Sequence, residues 1–168
     1  EHNIPLVLDL SQSAGTMDIN LSKFKSVAYA CMPGHKSLFG PQGTGILICC
    51  KDKYLYSNIQ GGTGSNSYSL KQPDYLPDVY ESGTLNVPGI CGLAAGIGFI
   101  KRIGLVKIKN KHKSLLNYAK EGLNCLDRVH LFTDSSHEHG ILSFAIEGLD
   151  SEEACSILSR FDICVRGG

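Results

Sequence analysis

The chain has 168 residues, 42% of them hydrophobic, and its 16 basic residues balance its 16 acidic ones. That length buries one substantial core, or one core with a smaller unit appended. A formal charge of zero offers no global field for nucleic acid or an anionic membrane surface, and the longest apolar runs fall well short of a bilayer crossing, so the composition points to a soluble chain with local recognition of its partners.

Seven cysteines form an odd set without a C-x-x-C pair, and most lie in apolar segments. This is the usage of a reducing, cytoplasmic compartment, with cysteine acting as a small hydrophobe. No metal site is expected. The nearest approach to one, His137-Glu138-His139, reads as a solvated turn.

In chain order, Ile4 to Asp9 is an apolar run ending in a carboxylate, which predicts a buried parallel strand delivering an acid to the carboxyl edge of a sheet. Ser11 to Thr16 is a polar turn, and Ile19 to Phe24 forms at most a short helix. Val27 to Met32 is a second strand. It runs into Pro33-Gly34-His35-Lys36-Ser37-Leu38-Phe39-Gly40-Pro41-Gln42-Gly43-Thr44-Gly45, a turn-rich stretch followed by the apolar strand Ile46 to Cys50, expected to be antiparallel to the one before it. An amine at Lys36, placed just after a buried strand end, is expected to sit in a dry pocket, where desolvation lowers its pKa and makes it a candidate nucleophile.

Residues 57–81 show little hydrophobic periodicity and read as a long ordered loop. Within it, Gly61-Gly62-Thr63-Gly64-Ser65 leaves backbone N–H groups free to converge on an anion. A helix begins near Pro88, with Ile90, Leu93, Ala94, Ile97 and Ile100 or Phe99 on one face, and stops near Gly104. Its four glycines, Gly89, Gly92, Gly96 and Gly98, lower its helix propensity and predict close packing on both sides. A second helix over roughly 106–126 carries Ile108, Leu115, Leu116, Ala119, Leu123 and Leu126 on a stripe, with its lysines on a solvated face. Val129 to Phe132 and Ile141 to Ile146 read as strands. Asp150 caps a short helix through Phe161, and Ile163 to Val165 starts another strand. The fold expected is α/β, with a large-domain sheet over 1–105 and a small α/β domain over 106–168. The chain starts directly before a strand and stops inside Val165-Arg166-Gly167-Gly168, which points to a segment of a longer protein.

An acid at one strand end, a lysine after a later strand and glycines able to bind an anion are together what a pyridoxal phosphate site needs. The motifs match a family in order along essentially the whole chain. Asp9-x-x-Gln12, Gly34-His35-Lys36 with Gly40-Pro41-x-Gly43-x-Gly45, Gly61 to Ser65, Tyr80-Glu81-Ser82-Gly83-Thr84-x-Asn86 and Val165-Arg166-x-Gly168 resemble the cysteine desulfurase branch of the class V aminotransferases. The resemblance implies part of the large domain of a fold type I pyridoxal 5′-phosphate enzyme, followed by a truncated C-terminal domain. It gives Asp9 to the pyridine nitrogen, Gln12 to the ring's phenolic oxygen, His35 to the phosphate and Lys36 to the aldehyde carbon. It assigns Thr84 and the loop around Gly62 to the phosphate of a neighbouring subunit, hence a homodimer, and Arg166 to the substrate end of the pocket. The implied reaction takes sulfur from L-cysteine, leaving L-alanine and an enzyme persulfide for a protein sulfur acceptor. A selenocysteine lyase acting on L-selenocysteine, another class V aminotransferase, or a non-catalytic dimerisation fragment would share these motifs. The present stretch alone is expected to be inactive.

Three departures stand out. The family's phosphate-binding turn and the aromatic residue, usually His, that stacks on the cofactor ring lie upstream of the position of Asp9 and are not in this sequence. Pro33 occupies a position where members offer a phosphate-binding hydroxyl, and it has no N–H to donate. The sulfur-accepting cysteine is expected a few residues beyond Arg166, so Cys164, which precedes the arginine, reads as a strand cysteine.

Overall fold

The structure, a computed structural model, describes residues 4–50, 56–133 and 140–168. His137-Glu138-His139 lie outside the described residues. The chain divides into two units, Glu1–Leu105 and Val106–Gly168.

The first unit is built on a three-stranded sheet ordered β1 (Leu6–Asp9), β2 (Val27–Pro33), β3 (Gly45–Cys49). β1 pairs parallel with β2, and β3 pairs antiparallel with it. The register places Asp9 opposite Cys31, and Cys31 opposite Leu47, so the carboxylate ends its strand two residues short of the end of the central strand at Pro33. β2 is the buried strand: Val27, Ala28, Tyr29 and Ala30 are all covered. Its continuous apolar run reflects packing on both faces.

β1 corrects the expectation of a buried strand. It lies at the sheet edge, and Leu6 and Val7 are 46% and 62% exposed. An apolar run states that a strand can be covered; among the described residues, only β2 lies alongside it.

After the long irregular segment, Asn86 caps helix α1 (Val87–Ile103) by accepting from the Gly89 N–H at 3.1 Å, with Pro88 in the first turn. The helix ends at Gly104, whose φ of 88° belongs to the left-handed region that glycine tolerates and whose N–H donates to the Ile100 carbonyl at 2.8 Å. The buried stripe of α1 is Gly89, Leu93, Gly96 and Ile100, while Ile90, Ala94 and Phe99 are exposed. The helix is therefore covered on one face, and two of its glycines lie on that face. A hydrophobicity pattern cannot find such a stripe, because the contact is made by backbone: a Cβ on Gly96 would lie 2.8 Å from the Phe39 carbonyl oxygen and closer still to that of Leu38. Around a Cβ on Gly98 nothing lies within 4 Å.

The second unit contains α2 (Leu105–Asn124, its first residue at the boundary), the antiparallel pair β4 (Val129–Leu131) and β5 (Phe144–Ile146), and α3 (Ser151–Ser159). α2 buries Ile108 and Leu116, whereas Leu115 and Leu126 from the expected stripe are about half exposed. Asp150 caps α3, accepting from the Glu152 N–H at 2.9 Å, and Glu152 and Glu153 favour the positive end of the helix dipole. The strand expected over Ile163 to Val165 does not form: the segment leaves α3 through a Ile163 N–H bond to the Leu158 carbonyl and has no ladder partner among the described residues. β-propensity supplies a willing strand but not the neighbour that makes it one. Among the described residues no single helix is long and apolar enough to cross a membrane.

The two glycines of α1 give opposite forecasts. Gly96→Ala forces backbone atoms apart and is expected to destabilise the protein by roughly 1–3 kcal/mol, whereas Gly98→Ala enters open space and is expected to stabilise it by about 0.5–1 kcal/mol through helix propensity. Urea unfolding of the two variants checks this; equal effects would contradict the packing described.

Candidate cofactor and active site

The polypeptide around Lys36 is held by its own ends. Gly34 donates its N–H to the Thr44 carbonyl at 2.8 Å, Gly40 donates to the Gly34 carbonyl at 2.8 Å, and Phe39 donates to the Lys36 carbonyl at 3.0 Å. Thr44 Oγ1 donates to the Pro41 carbonyl at 2.6 Å. Phe39 adopts a φ of 57°, a left-handed conformation that costs a non-glycine residue roughly 1–2 kcal/mol. Its ring meets Phe99 of α1 edge-on at 5.3 Å, a contact that contributes about 0.5–1.5 kcal/mol in the other direction.

Glycines let neighbouring elements close on this turn. Leu93 of α1 occupies the space where a Cβ on Gly40 would stand, 2.7 Å from its Cδ1. Gly15, with φ of 86°, ends the polar turn after β1, and a Cβ there would lie 2.7 Å from the Ser37 carbonyl carbon. The turn that carries Gln12 is thus packed directly on the residue after Lys36. Sequence reasoning did not single out Gly15; its position at the close of a polar turn is the only sign it leaves.

Asp9 ends β1, and its Oδ1 accepts from both the N–H and the hydroxyl of Ser11, the former at 2.8 Å. This local turn holds an aspartate two residues before a serine in a fixed pose. The Ser11 hydroxyl bond, then the Ser11 backbone bond, hold the Asp9 carboxyl below its ordinary pKa against an opposing effect of burial, with the Lys36 charge the smallest contribution in the lowering direction. Asp9 and Lys36, the two residues the sequence paired, are therefore close enough to feel each other. Lys36 is an exposed residue among the described ones, in place of the dry pocket expected around it. Gln12 and His35 are exposed as well. Beside Asp9, a concavity of about 440 Å³ is lined by Ser11, Cys31, Leu47, Tyr80 and Glu81.

The loop Gly61–Ser65 meets the Glu81–Thr84 motif. A Cβ on Gly61 would stand 3.5 Å from the Gly83 nitrogen and from Ser82 Cβ, while Gly62, Gly64 and Gly83 have nothing within 4 Å. Two glycine-bearing loops that meet with open space beside them suit the convergence of backbone N–H groups on an anion. Thr84 is exposed at the end of this region. Arg166 lies in the second unit, exposed, beside a concavity of about 670 Å³ that Cys155, Leu158 and Cys164 also line. Gly167 is close to α3: a Cβ there would sit 3.1 Å from Cys155 Sγ and from a Glu152 carboxylate oxygen.

Residues 1–168, the whole chain, match the model of the aminotransferase class-V family. The chain belongs to that family. A probable cysteine desulfurase of Pyrococcus abyssi is 34% identical to this class-V aminotransferase chain over 176 residues, covering all of it and 43% of the relative. A probable cysteine desulfurase of Methanothermobacter thermautotrophicus is 32% identical over 170 residues, covering 96% of the chain and 42% of the relative. The apo structure of a cysteine desulfurase from Thermococcus onnurineus NA1 superposes with a TM-score of 0.80 at 35% identity, over 96% of this chain and 42% of that one. The mixed α/β architecture is that of the pyridoxal-phosphate-dependent cysteine desulfurases over a partial region. The class-V chain spans less than half the length of the relatives it matches.

The Asp9 pose generates a titration forecast. Because the folded pKa is depressed, the linked stability is present above the ordinary carboxylate pKa of about 3.9 and is lost as pH falls through the folded value. Ser11→Ala removes the largest cause, so the Asp9 carboxyl, followed by carbon NMR, is expected to titrate at higher pH than in the parent chain. An unchanged titration would refute the Ser11 bond.

Proposed function

We propose that this protein is a pyridoxal 5′-phosphate-dependent cysteine desulfurase that removes sulfur from L-cysteine to give L-alanine and an enzyme persulfide, works as a cytoplasmic homodimer, and hands the sulfur to a protein acceptor. The observation that carries the reading is geometric: Asp9, held by Ser11, ends the strand parallel to the one that leads into the Lys36 turn, and the turn after Asp9 packs on Ser37 through Gly15. Family membership and the desulfurase relatives support it.

The donor set fits the cofactor. A carboxylate with a lowered pKa suits a protonated ring nitrogen, a lysine on an exposed turn suits an aldehyde, and the glycine-bearing loops with open space beside Gly62, Gly64 and Gly83 suit a phosphate. When bound, pyridoxal phosphate supplies the electron sink for carbanion chemistry. By the resemblance, Asp9 would hold the ring nitrogen protonated, Gln12 would donate to the phenolic oxygen, and His35 would donate toward the phosphate. Lys36 would hold the cofactor's aldehyde carbon and would serve as the base that moves a proton at the substrate. Gly62 and Thr84 would serve the phosphate of a neighbouring subunit, and Arg166 would bind at the substrate end.

The chain's own cysteines fit a supporting role. All seven are free thiols, which supports a reducing compartment. Burial, then the adjacent Cys50, push the Cys49 thiol up and away from the thiolate that sulfur attack needs. By the resemblance, the sulfur-accepting cysteine of the full-length protein would follow Arg166.

Borohydride reduction of the full-length protein loaded with pyridoxal phosphate is expected to fix the cofactor on the Lys36 peptide, read by mass spectrometry. Lys36→Ala should abolish both that adduct and alanine production from L-cysteine. Cofactor fixed at another lysine, or alanine formed by the variant, would sink the reading.

A further inference from the structure

Among the described residues, one side chain from the long segment between them joins the Gly61–Ser65 loop to the Glu81–Thr84 motif. Gln72 Oε1 accepts from the Gly61 N–H at 3.2 Å. Its Nε2 donates to the Asp78 carbonyl at 2.6 Å and to the Glu81 carbonyl at 3.1 Å. Both N–H bonds of the amide and its oxygen are thereby engaged. The reversed amide would face an N–H with a donor and two carbonyls with an acceptor, so only this orientation satisfies the three contacts.

Gln72 is half-buried, and the segment around it has no regular ladder to hold it. Its local bonds are short-range: Ser69 to Asn66, Val79 to Tyr75, Tyr80 to Pro77 and Glu81 to Asp78. None of these spans from the Gly61 loop to the Glu81 motif. The amide spans 11 residues back to Gly61 and 9 forward to Glu81. Where Gly61 is held, a Cβ on it would stand 3.5 Å from Ser82 Cβ and from the Gly83 nitrogen, so the two loops meet at the point the amide joins.

We infer that Gln72 is the positioning residue for the phosphate-binding pair of loops, setting the Gly61–Ser65 backbone against Glu81–Thr84 so that both address one phosphate. The inference rests on the cofactor reading proposed above. Gln72 touches no reacting atom; it acts through the two loops.

A positioning role for phosphate has a signature that a general structural role lacks. Loss of the amide should weaken pyridoxal 5′-phosphate, which has the phosphate, and spare pyridoxal, which does not. The test uses the full-length holoprotein with the cofactor removed and returned. Gln72→Met keeps the length and volume of the side chain and removes all three hydrogen bonds; Gln72→Glu keeps the acceptor and removes both donors. Each is expected to lower pyridoxal 5′-phosphate affinity about tenfold or more, the loss of one to two hydrogen bonds' worth of ordering, while pyridoxal affinity stays within about twofold of the parent. Equal losses for both ligands, or none, would overturn the inference. In the parent protein, hydrogen exchange gives a reading that needs no variant: pyridoxal 5′-phosphate should protect the Gly61–Ser65 and Glu81–Thr84 amides together, and protection of one loop alone would also overturn it. A parent protein that fails to bind pyridoxal 5′-phosphate at all is a different result, which removes the cofactor reading itself.

Discussion

Everything functional in the first unit depends on how closely other backbone approaches the turn that carries Lys36. Gly15 meets Ser37 from one side, Gly96 of α1 meets Leu38 and Phe39 from another, and within the turn Gly40 makes room for Leu93. Each is a place where a Cβ would enter atoms that cannot easily retreat, since the obstacles include carbonyl groups already committed to hydrogen bonds. The Gly34 carbonyl, for one, receives the Gly40 N–H. A flexible lysine on a flexible turn would spend its binding energy on ordering; this one starts from a backbone whose conformation is over-determined by its surroundings.

That steric framework explains the electrostatics. Asp9 could reach the vicinity of Lys36 only if the end of β1 and the end of β2 finish together, which the parallel register with Asp9 opposite Cys31 secures. The turn following Asp9 then folds back so that Ser11 donates twice to one carboxylate oxygen while Gly15 closes on Ser37. The same few residues thus fix where the negative charge sits and keep it ionised. For an exposed carboxylate, where distant charges are screened, two bonds from an adjacent residue are the dependable way to do so.

The parts of this arrangement that were legible in the sequence are those encoded by chemistry local to a few residues. The Asp150 cap, the stop at Gly104 and the antiparallel return of β3 after a glycine-rich turn each carry their own signal. Asp9 and Lys36 were legible as a pair because strand ends deliver residues to a common edge. The exposure of Lys36 and of β1 was not legible, since coverage belongs to whatever packs against a residue and an apolar run does not name it. The Ile163 to Val165 strand failed for the same reason. The buried stripe of α1 was misread at Gly89 and Gly96 because hydrophobicity assigns nothing to a residue whose contribution is the absence of a side chain.

Gln72 marks a further limit of the same kind. It sits in a stretch of polar and turn-forming residues where glutamine is unremarkable, and no spacing rule relates it to Gly61 and Glu81 at once. Its significance comes from two loops needing a connector that offers one acceptor and two donors from a single planar group, a demand that asparagine is too short and lysine or glutamate too one-sided to meet. A loop segment with no ladder of its own can hold a defined shape only if such side-chain bonds replace the missing backbone ones. The long segment between Ser57 and Glu81 is therefore ordered at the point where the phosphate loops need it, around one amide, and its remaining residues are left largely exposed.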